Sequence, residues 1–145
     1  LILSSEDIGN ANPTALIMAN NTFQAVTTIG YPESRILLSQ CAIYLATSAK
    51  SNASYTAIGK AQQMVKQTGD LPVPIHLRNA PTKLMKELGY GDEYKYSHDF
   101  PNNFAEQEFL PTEISATKFF EPGENAREKE LRQFLKNRWK DRYDY

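Results

Sequence analysis

The sequence predicts an all-α fold: a bundle of about five helices with a long irregular segment rich in aromatic residues. Apolar residues recur at three- and four-residue steps in several segments, which is the period of an α-helix. Prolines or capping residues precede these segments and glycines follow them, as is typical of helix starts and stops. Between residues 90 and 123 no period is sustained, and a short β hairpin near residues 94–96 and 118–120 is the one extended pairing that we expect.

Length and composition indicate a single soluble globular domain. The chain has 145 residues, of which 41% are hydrophobic, and a formal net charge of −1. That length suffices for a real core, and no apolar run approaches the ~18 residues that cross a bilayer, so we expect no membrane partner. The near-zero net charge argues against a general polyanion-binding protein. A single cysteine and the absence of a visible signal peptide fit a cytoplasmic location.

Three helices are predicted in the first half of the chain, and we expect residues 1–70 to form the helical core. Asn12 offers a side-chain cap to the first helix, which Gly30 closes. After a proline, the second helix runs to about Ala46. The third begins at a cap from Ser51, and a glycine ends it. The connections are short, which predicts antiparallel neighbours.

The second half of the chain is less regular. Residues 71–124 combine a proline-rich extended crossing, a short helix between Pro81 and Gly89, and an irregular stretch held down by aromatic side chains. Residues 125–145 form a basic C-terminal helix that is predicted to extend to about Tyr143. The chain begins without methionine on an apolar, helical-looking stretch, and we expect it to be a C-terminal fragment of a longer protein.

The reactive residues show no catalytic or metal-binding spacing. His76 and His98 each lack a second histidine four residues away. Cys41 lies in an apolar helical stripe, where a buried small hydrophobe is expected rather than a nucleophile. The glycine-rich run ending in Lys and Ser or Thr that cradles nucleotide phosphates is missing. We therefore expect this chain to be no enzyme and to bind no cofactor or metal; a hydrolytic or metal enzyme that uses the histidines and Asp99 is the least favoured hypothesis.

The last helix holds the strongest candidates for nucleic-acid contact. Between Arg127 and Arg142 basic residues outnumber acidic ones, and four of them recur at helical steps opposite the side of Leu131 and Leu135. These four, with three more near the short fourth helix, are Lys129, Arg132, Lys136, Lys140, Arg78, Lys83 and Lys86. Such residues could follow a phosphate backbone. The alternative, which we favour, is a solvated helix face whose basic end complements the helix dipole.

Four aromatic residues are candidates for contact with a second copy of the chain: Phe23, Tyr31, Tyr44 and Tyr55. An apolar helical stripe faces either the core or a neighbour, and the sequence leaves both possibilities open. Apolar patches buried between copies would supply the association energy of an oligomer.

Three stretches of the chain are long and distinctive: "SEDIGNANPTAL" (Ser5–Leu16), "CAIYLATSAKSNASYTA" (Cys41–Ala57) and "VPIHLRNAPTKLMKELGYGDEYKYSHD" (Val73–Asp99). Together and in this order they resemble the C-terminal domain of the RarA/MgsA family of AAA+ ATPases, to which the eukaryotic Werner-helicase-interacting ATPase also belongs. The resemblance covers nearly the whole chain and becomes less distinctive after about Glu121.

The resemblance implies a helical oligomerisation domain of the clamp-loader C-terminal type, which assembles subunits into a homotetramer. It implies that a separate N-terminal AAA+ module binds ATP and Mg²⁺, and that the full-length protein is a DNA-dependent ATPase acting in replication, recombination and repair at stalled forks. The expected partners are further copies of the chain, single-stranded or end-exposed DNA, and a single-strand-binding protein, in the bacterial cytoplasm at the nucleoid. A DNA-binding helical module that uses the basic helix is the alternative function.

Overall fold

A computed structural model describes residues 1–145 and contains helices but no strands. Its five α-helices are α1 (Thr14–Ile29), α2 (Ser34–Thr47), α3 (Ala53–Thr68), α4 (Lys83–Glu87) and α5 (Ala126–Trp139). Single turns of π or 3-10 helix lie at Ser4–Ile8, Gly9–Ala11, Ile75–Leu77, Ser97–Asp99, Pro101–Asn103 and Thr112–Ile114. The prediction of an all-α fold is confirmed. None of the helices combines the length and apolar character that crossing a membrane requires.

Glycines end α1 and α3 where the sequence predicted. Gly30 and Gly69 follow these helices with φ of 73° and 70°, a left-handed conformation that costs glycine little. Their N–H groups donate to the carbonyls of Val26 and Val65 at 2.9 and 2.8 Å. The stop signals read from the sequence are thus confirmed at both positions.

Asn12 does not cap α1, contrary to the prediction. Its side-chain nitrogen donates to the hydroxyls of Tyr44 and Ser48, each at 3.0 Å. A side chain that reaches the end of α2 is not available to the N–H groups of its own helix, so Asn12 joins two helices instead of starting one. The N–H of Ala15 bonds to the Asn12 backbone carbonyl at 3.0 Å.

The predicted β hairpin does not form. Lys95 lies in the first of the two expected strands, and its backbone pairs with a side chain rather than with a strand: its carbonyl accepts from Gln107 Nε2 at 3.0 Å and its N–H donates to Gln107 Oε1 at 3.4 Å. One amide side chain thereby satisfies both backbone groups that a strand partner would have paired. Gln107 is buried, at 9% exposure.

α5 is shorter than predicted, because it ends at Trp139 rather than near Tyr143. Lys140 follows with φ of 50°, a conformation that ends an α-helix. The Trp139 ring packs edge-to-face on Tyr143 at a centroid distance of 5.0 Å. This contact holds the end of the chain beside the tryptophan in place of a further helical turn.

The chain forms two compact units, and it passes between them at three points: within α3, between residues 118 and 119, and within α5. Unit 1 comprises Leu1–Gln63 and Phe119–Phe134, and unit 2 comprises Met64–Lys118 and Leu135–Tyr145. The single domain with internal boundaries near residues 70 and 124, as the sequence suggested, stays a prediction.

In unit 1, α1 and α2 pack against each other, and the side chains that they bury are small. α1 buries Ala15 and Ala19, and α2 buries Ser34 and Cys41. Small side chains at a helix contact allow the two axes to come close together. The expectation that Cys41 is a buried hydrophobe is confirmed.

A buried carboxylate, Glu128, connects the starts of α3 and α5 in unit 1. Its side chain has no solvent exposure. It accepts hydrogen bonds from the Ser51 hydroxyl at 2.8 Å, the Gly123 N–H at 2.7 Å and Asn125 Nδ2 at 2.9 Å. Asn125 Oδ1 in turn accepts from the Glu128 N–H at 3.0 Å, which makes the pair a reciprocal cap at the start of α5.

Ser51 extends this network to α3 and to the beginning of the chain. Its hydroxyl accepts from the Ala53 N–H at 3.2 Å, which confirms the predicted cap of the third helix. Its N–H donates to the Asp7 carbonyl at 2.8 Å. Gly123 lies so close to the Glu128 carboxylate that a larger residue would not fit: a Cβ added to Gly123 would lie 2.5 Å from Glu128 Oε2.

Unit 2 is organised around the Trp139 ring. Phe104 and Phe109 contact it edge-to-face at centroid distances of 5.0 and 6.2 Å, and the Arg142 guanidinium lies 6.0 Å from its centroid. Aromatic side chains therefore hold down part of the irregular segment, as the sequence predicted.

Glu108 is the main acceptor of unit 2. Its carboxylate accepts from the Ser115 hydroxyl, from the N–H groups of Leu110 and Ala116 at 3.0 and 3.2 Å, and from Arg142. Burial alone would raise the pKa of Glu108, but the hydrogen bonds from these four residues outweigh it and lower the pKa to about 2.

Replacing Glu128 with alanine should destabilise the chain by about 3 kcal/mol, because the Ser51 hydroxyl and the Gly123 N–H would lose their acceptor. Urea unfolding followed by far-UV circular dichroism measures the change. Glu130→Ala, which removes an exposed carboxylate from the same helix, is the matched control and should shift stability by less than about 0.5 kcal/mol. Equal effects of the two substitutions would contradict the role assigned to Glu128.

Acid should destabilise unit 2 through Glu108. A folded-state pKa of about 2 against an ordinary value of 4.5 means that its stabilisation is complete above pH 4.5 and is lost as the pH falls toward 2. Trp139, the only tryptophan, reports on unit 2 by its fluorescence. In thermal unfolding, Glu108→Gln should flatten this pH dependence, whereas Glu113→Gln, at an exposed position, should leave it intact.

Candidate oligomer interface

Apart from Ile8, the apolar side chains that unit 1 buries are small, and many of its large ones are exposed. Its buried apolar residues are Ile8, Ala15, Ala19, Cys41 and Ala53. Its exposed large apolar residues include Leu1, Ile2, Leu3, Leu16, Ile17, Phe23, Ile29, Tyr31, Ile36, Leu38, Ile43, Tyr55 and Ile58. Single exposed apolar side chains are ordinary, but extended exposed apolar surface marks interaction sites. The outer surface of unit 1 is therefore a candidate interface.

α2 carries apolar side chains on opposite sides. Cys41 is buried and Tyr44 is half-buried on one side, while Ile36 and Ile43 are 61% and 62% exposed on the other. A helix that is hydrophobic all round is normally buried all round. An open depression of about 540 Å³ lies along the exposed side, and it is lined by Arg35, Ile36, Ser39, Gln40 and Ile43.

A second apolar groove in unit 1 lies beside the first residues of the chain. It has a volume of about 700 Å³. Its lining consists of Leu1, Ile2, Leu16, Tyr55 and Ile58, with Ser5, Glu6 and Ser54 at its polar edge. Unit 1 thus has two separate apolar surfaces, which are called here the α2 face and the N-terminal groove.

Three of the four residues predicted to contact a second copy lie on the surface. Phe23, Tyr31 and Tyr55 are 65%, 79% and 57% exposed, and Tyr55 lines the N-terminal groove. Tyr44 instead bonds to Asn12 inside unit 1. Contact of any of the four with a second copy stays a prediction.

Ile36 and Ile43 were not among the predicted interface residues. The sequence pattern placed Ile36 in one apolar stripe with Cys41 and Tyr44, and Ile43 was outside that stripe. Ile36 and Ile43 are seven residues apart, and this spacing places them on a common line along the helix. Cys41 and Tyr44 form a different line on the same helix, and two apolar lines indicate two buried sides.

The basic residues of unit 1 that were predicted to contact DNA are engaged within the chain. Arg132 donates to the Glu121 carboxylate and the Pro122 carbonyl, and lies 3.4 Å from Glu124. Lys129 lies 3.7 Å from Glu124. Both terminal nitrogens of Arg132 donate hydrogen bonds, and only 28% of its side chain is exposed. These bonds therefore stabilise the segment before α5.

The other five DNA-contact candidates belong to unit 2. Three of them also have partners: Lys140 lies 3.3 Å from Glu106, Lys83 lies 3.7 Å from Glu87, and Arg78 donates to the Val73 carbonyl at 2.6 Å and the Tyr90 hydroxyl at 3.2 Å. Lys86 and Lys136 are exposed. Exposed ion pairs add little stability. Their carboxylates nevertheless offset the positive charge that would attract a phosphate backbone.

The two histidines weighed for catalysis or metal binding each contact a neighbouring group of unit 2. A ring nitrogen of His76 lies 2.8 Å from the Glu108 carbonyl, and His98 packs near the Tyr96 ring at 5.1 Å. No group of three or more histidine, cysteine or acidic residues comes together in a way that could hold a metal ion.

Comparison with known proteins decides the family. Residues 1–139 match the family model described as MgsA AAA+ ATPase C terminal. The chain belongs to this family. Replication-associated recombination protein A of Haemophilus influenzae is 43% identical to this MgsA-type domain over 136 residues, which cover 93% of the chain and 30% of the relative. The protein of the same name from Escherichia coli strain K12 is 46% identical over 123 residues, 84% of the chain and 28% of the relative.

The similarity extends to eukaryotes. ATPase WRNIP1 of Dictyostelium discoideum is 45% identical to the MgsA-type domain over 120 residues, which cover 82% of the chain and 14% of the relative. The chain spans less than a third of the length of these curated relatives. The resemblance inferred from three sequence blocks is confirmed, and the chain is the C-terminal domain of a AAA+ ATPase family.

Arg132→Gln should lower the stability of the domain by about 1–2 kcal/mol, because the Pro122 carbonyl and the glutamates before α5 would lose their donor. Lys136→Gln removes an exposed charge from the same helix and should change stability by less than about 0.5 kcal/mol. Urea unfolding compares the two variants. An Arg132→Gln variant of unchanged stability that had lost affinity for single-stranded DNA would instead support the DNA-contact hypothesis.

Proposed function

We propose that this MgsA-type domain is the homo-oligomerisation domain, forming a tetramer, of a AAA+ ATPase that acts in DNA replication, recombination and repair. The observation that carries the proposal is the exposed side of α2. Ile36 and Ile43 are more than half exposed there, on a helix that also carries apolar side chains on its inward side. A second copy is the surface that would complete its burial.

The energetics favour several large side chains at each contact. Complete burial of one large aliphatic side chain contributes roughly 1.5–3 kcal/mol, whereas association costs on the order of 4–15 kcal/mol in lost freedom. One or two residues therefore do not suffice. Unit 1 offers more than that on two separate surfaces, and two different self-complementary contacts are what a tetramer with two-fold axes requires.

The names of the relatives support the cellular context. Replication-associated recombination protein A points to recombination coupled to replication, and ATPase WRNIP1 points to ATP hydrolysis. We propose that ATP and Mg²⁺ bind to the N-terminal module of the full-length protein. Its proposed partners are single-stranded or end-exposed DNA and a single-strand-binding protein, at stalled forks in the bacterial cytoplasm.

The DNA-binding helical module is a weaker candidate for this chain. Most of its seven basic residues are engaged by carboxylates or carbonyls, including Arg132 and Lys140. It predicts DNA affinity that falls steeply with added salt, together with an assembly state that does not depend on the apolar surfaces of unit 1.

Sedimentation equilibrium of the 145-residue chain over a concentration series tests the proposal. We expect a particle of four times the 16.4 kDa chain mass, in equilibrium with a dimer at low concentration. Raising the salt from about 0.1 to about 1 M should not dissociate it, because apolar contacts are not screened. A monomer at every concentration would refute an autonomous assembly role.

A further inference from the structure

The first residues of the chain form one wall of the N-terminal groove, and they are helical from the outset. Ile2 and Leu3 are α-helical and pass without a break into the turn Ser4–Ile8. No side chain caps the start of that turn at Leu3. Leu1, Ile2 and Leu3 are each at least half exposed, so the first helical turn lacks both a cap and a packing partner.

The beginning of the chain lies beside α3. The Asp7 carbonyl accepts from the Ser51 N–H, just before α3 begins. Leu1 instead shares the groove with Tyr55 and Ile58, which are one to two helical turns farther along the chain than Ser51. Helical residues placed before Leu1 would therefore continue along α3, over the exposed side that carries Tyr55 and Ile58.

The family places further chain directly before this domain. The match to the model described as MgsA AAA+ ATPase C terminal begins at Leu1, and the chain spans less than a third of the relatives from Haemophilus influenzae, Escherichia coli and Dictyostelium discoideum. A segment that is tethered at the edge of the groove has an effective concentration there in the millimolar range, roughly. It therefore occupies the groove in preference to a separate molecule of similar affinity.

We propose that the segment preceding Leu1 in the full-length protein continues the first helix upstream and covers the N-terminal groove. Two further turns, about 11 Å of helix, would bring new side chains against Leu16, Tyr55 and Ile58. The first turn then needs no cap, because its N–H groups bond to the carbonyls of the preceding turn. A continuous helix is also a stiff connection, so it would hold the preceding module in a fixed orientation on unit 1.

This inference goes beyond the proposed function and changes which surfaces remain available for it. With the groove covered by the chain itself, the α2 face and the exposed α1 residues Ile17, Phe23 and Ile29 are left for contacts between copies. Assembly through those surfaces and occupation of the groove by the preceding segment are separate events, and each can be measured without the other.

Photo-cross-linking from the groove tests the contact in the full-length protein. A p-benzoylphenylalanine in place of Tyr55 should cross-link to the same chain, within about three helical turns, roughly 11 residues, before Leu1. Peptide mass spectrometry locates the cross-link, and a denaturing gel shows whether it joins one chain or two. The yield should not change on dilution, because the contact is intramolecular. Ile58→Glu should lower the yield roughly ten-fold, because a carboxylate would have to be buried without a partner.

Two controls accompany this measurement. Lys60→Glu changes an exposed position of α3 outside the groove and should keep the yield, and a probe in place of Phe23, on α1, should not reach the preceding segment. Circular dichroism should show equal helicity in all variants.

Three results would overturn the inference: no cross-link to the preceding segment, a yield that Ile58→Glu leaves unchanged, or a cross-link that joins two chains and fades on dilution. The last result would assign the groove to a contact between copies. Sedimentation of the same protein reports on assembly separately, so the failure of this inference is distinguishable from the failure of the proposed function.

Discussion

The helix starts of unit 1 depend on the hydrogen bonds that the buried Glu128 carboxylate accepts. It is a buried charge whose partners are neutral hydrogen-bond donors rather than a cation, and burying a charge is costly unless its hydrogen bonds are complete. It also lies at the starts of α3 and α5, where both helix dipoles favour negative charge. Ser51 and Gly123 supply donors from distant parts of the chain, so the carboxylate fixes where two helices begin.

Because most buried apolar positions of unit 1 hold small side chains, many of its large apolar side chains are exposed. Ala15 and Ala19 take the buried positions of α1, and the neighbouring Leu16 and Ile17 are 45% and 60% exposed. α1 and α2 pack against each other, and the small side chains at their buried positions contribute little apolar area. The large side chains then remain exposed, which is the distribution that the proposed oligomer would need, because each partner of an obligate interface resembles part of a core cut open.

Sequence reasoning succeeded where the signal is local. Glycine stops at Gly30 and Gly69 and the Ser51 cap follow from backbone conformation and short-range hydrogen bonding. It failed where a side chain had a distant competitor: Asn12 bonds to the end of α2, and Gln107 takes the place of a strand partner for Lys95. The Ser51 to Glu128 contact joins positions 77 residues apart. The sequence also could not show which apolar line of α2 faces inward, because periodicity shows which residues share a side of a helix but not what that side packs against.

The charges of the chain fit self-association better than they fit a polyanion. Arg132 and Lys140 are paired with carboxylates of their own chain, so the excess of positive charge in the last helix is offset locally. Like charges that meet across an interface between identical copies repel each other. Of the residues that line the α2 face, Arg35 is the one that carries a charge. A face with a single cation suits contact with another apolar surface better than it suits a phosphate backbone, which requires several cations.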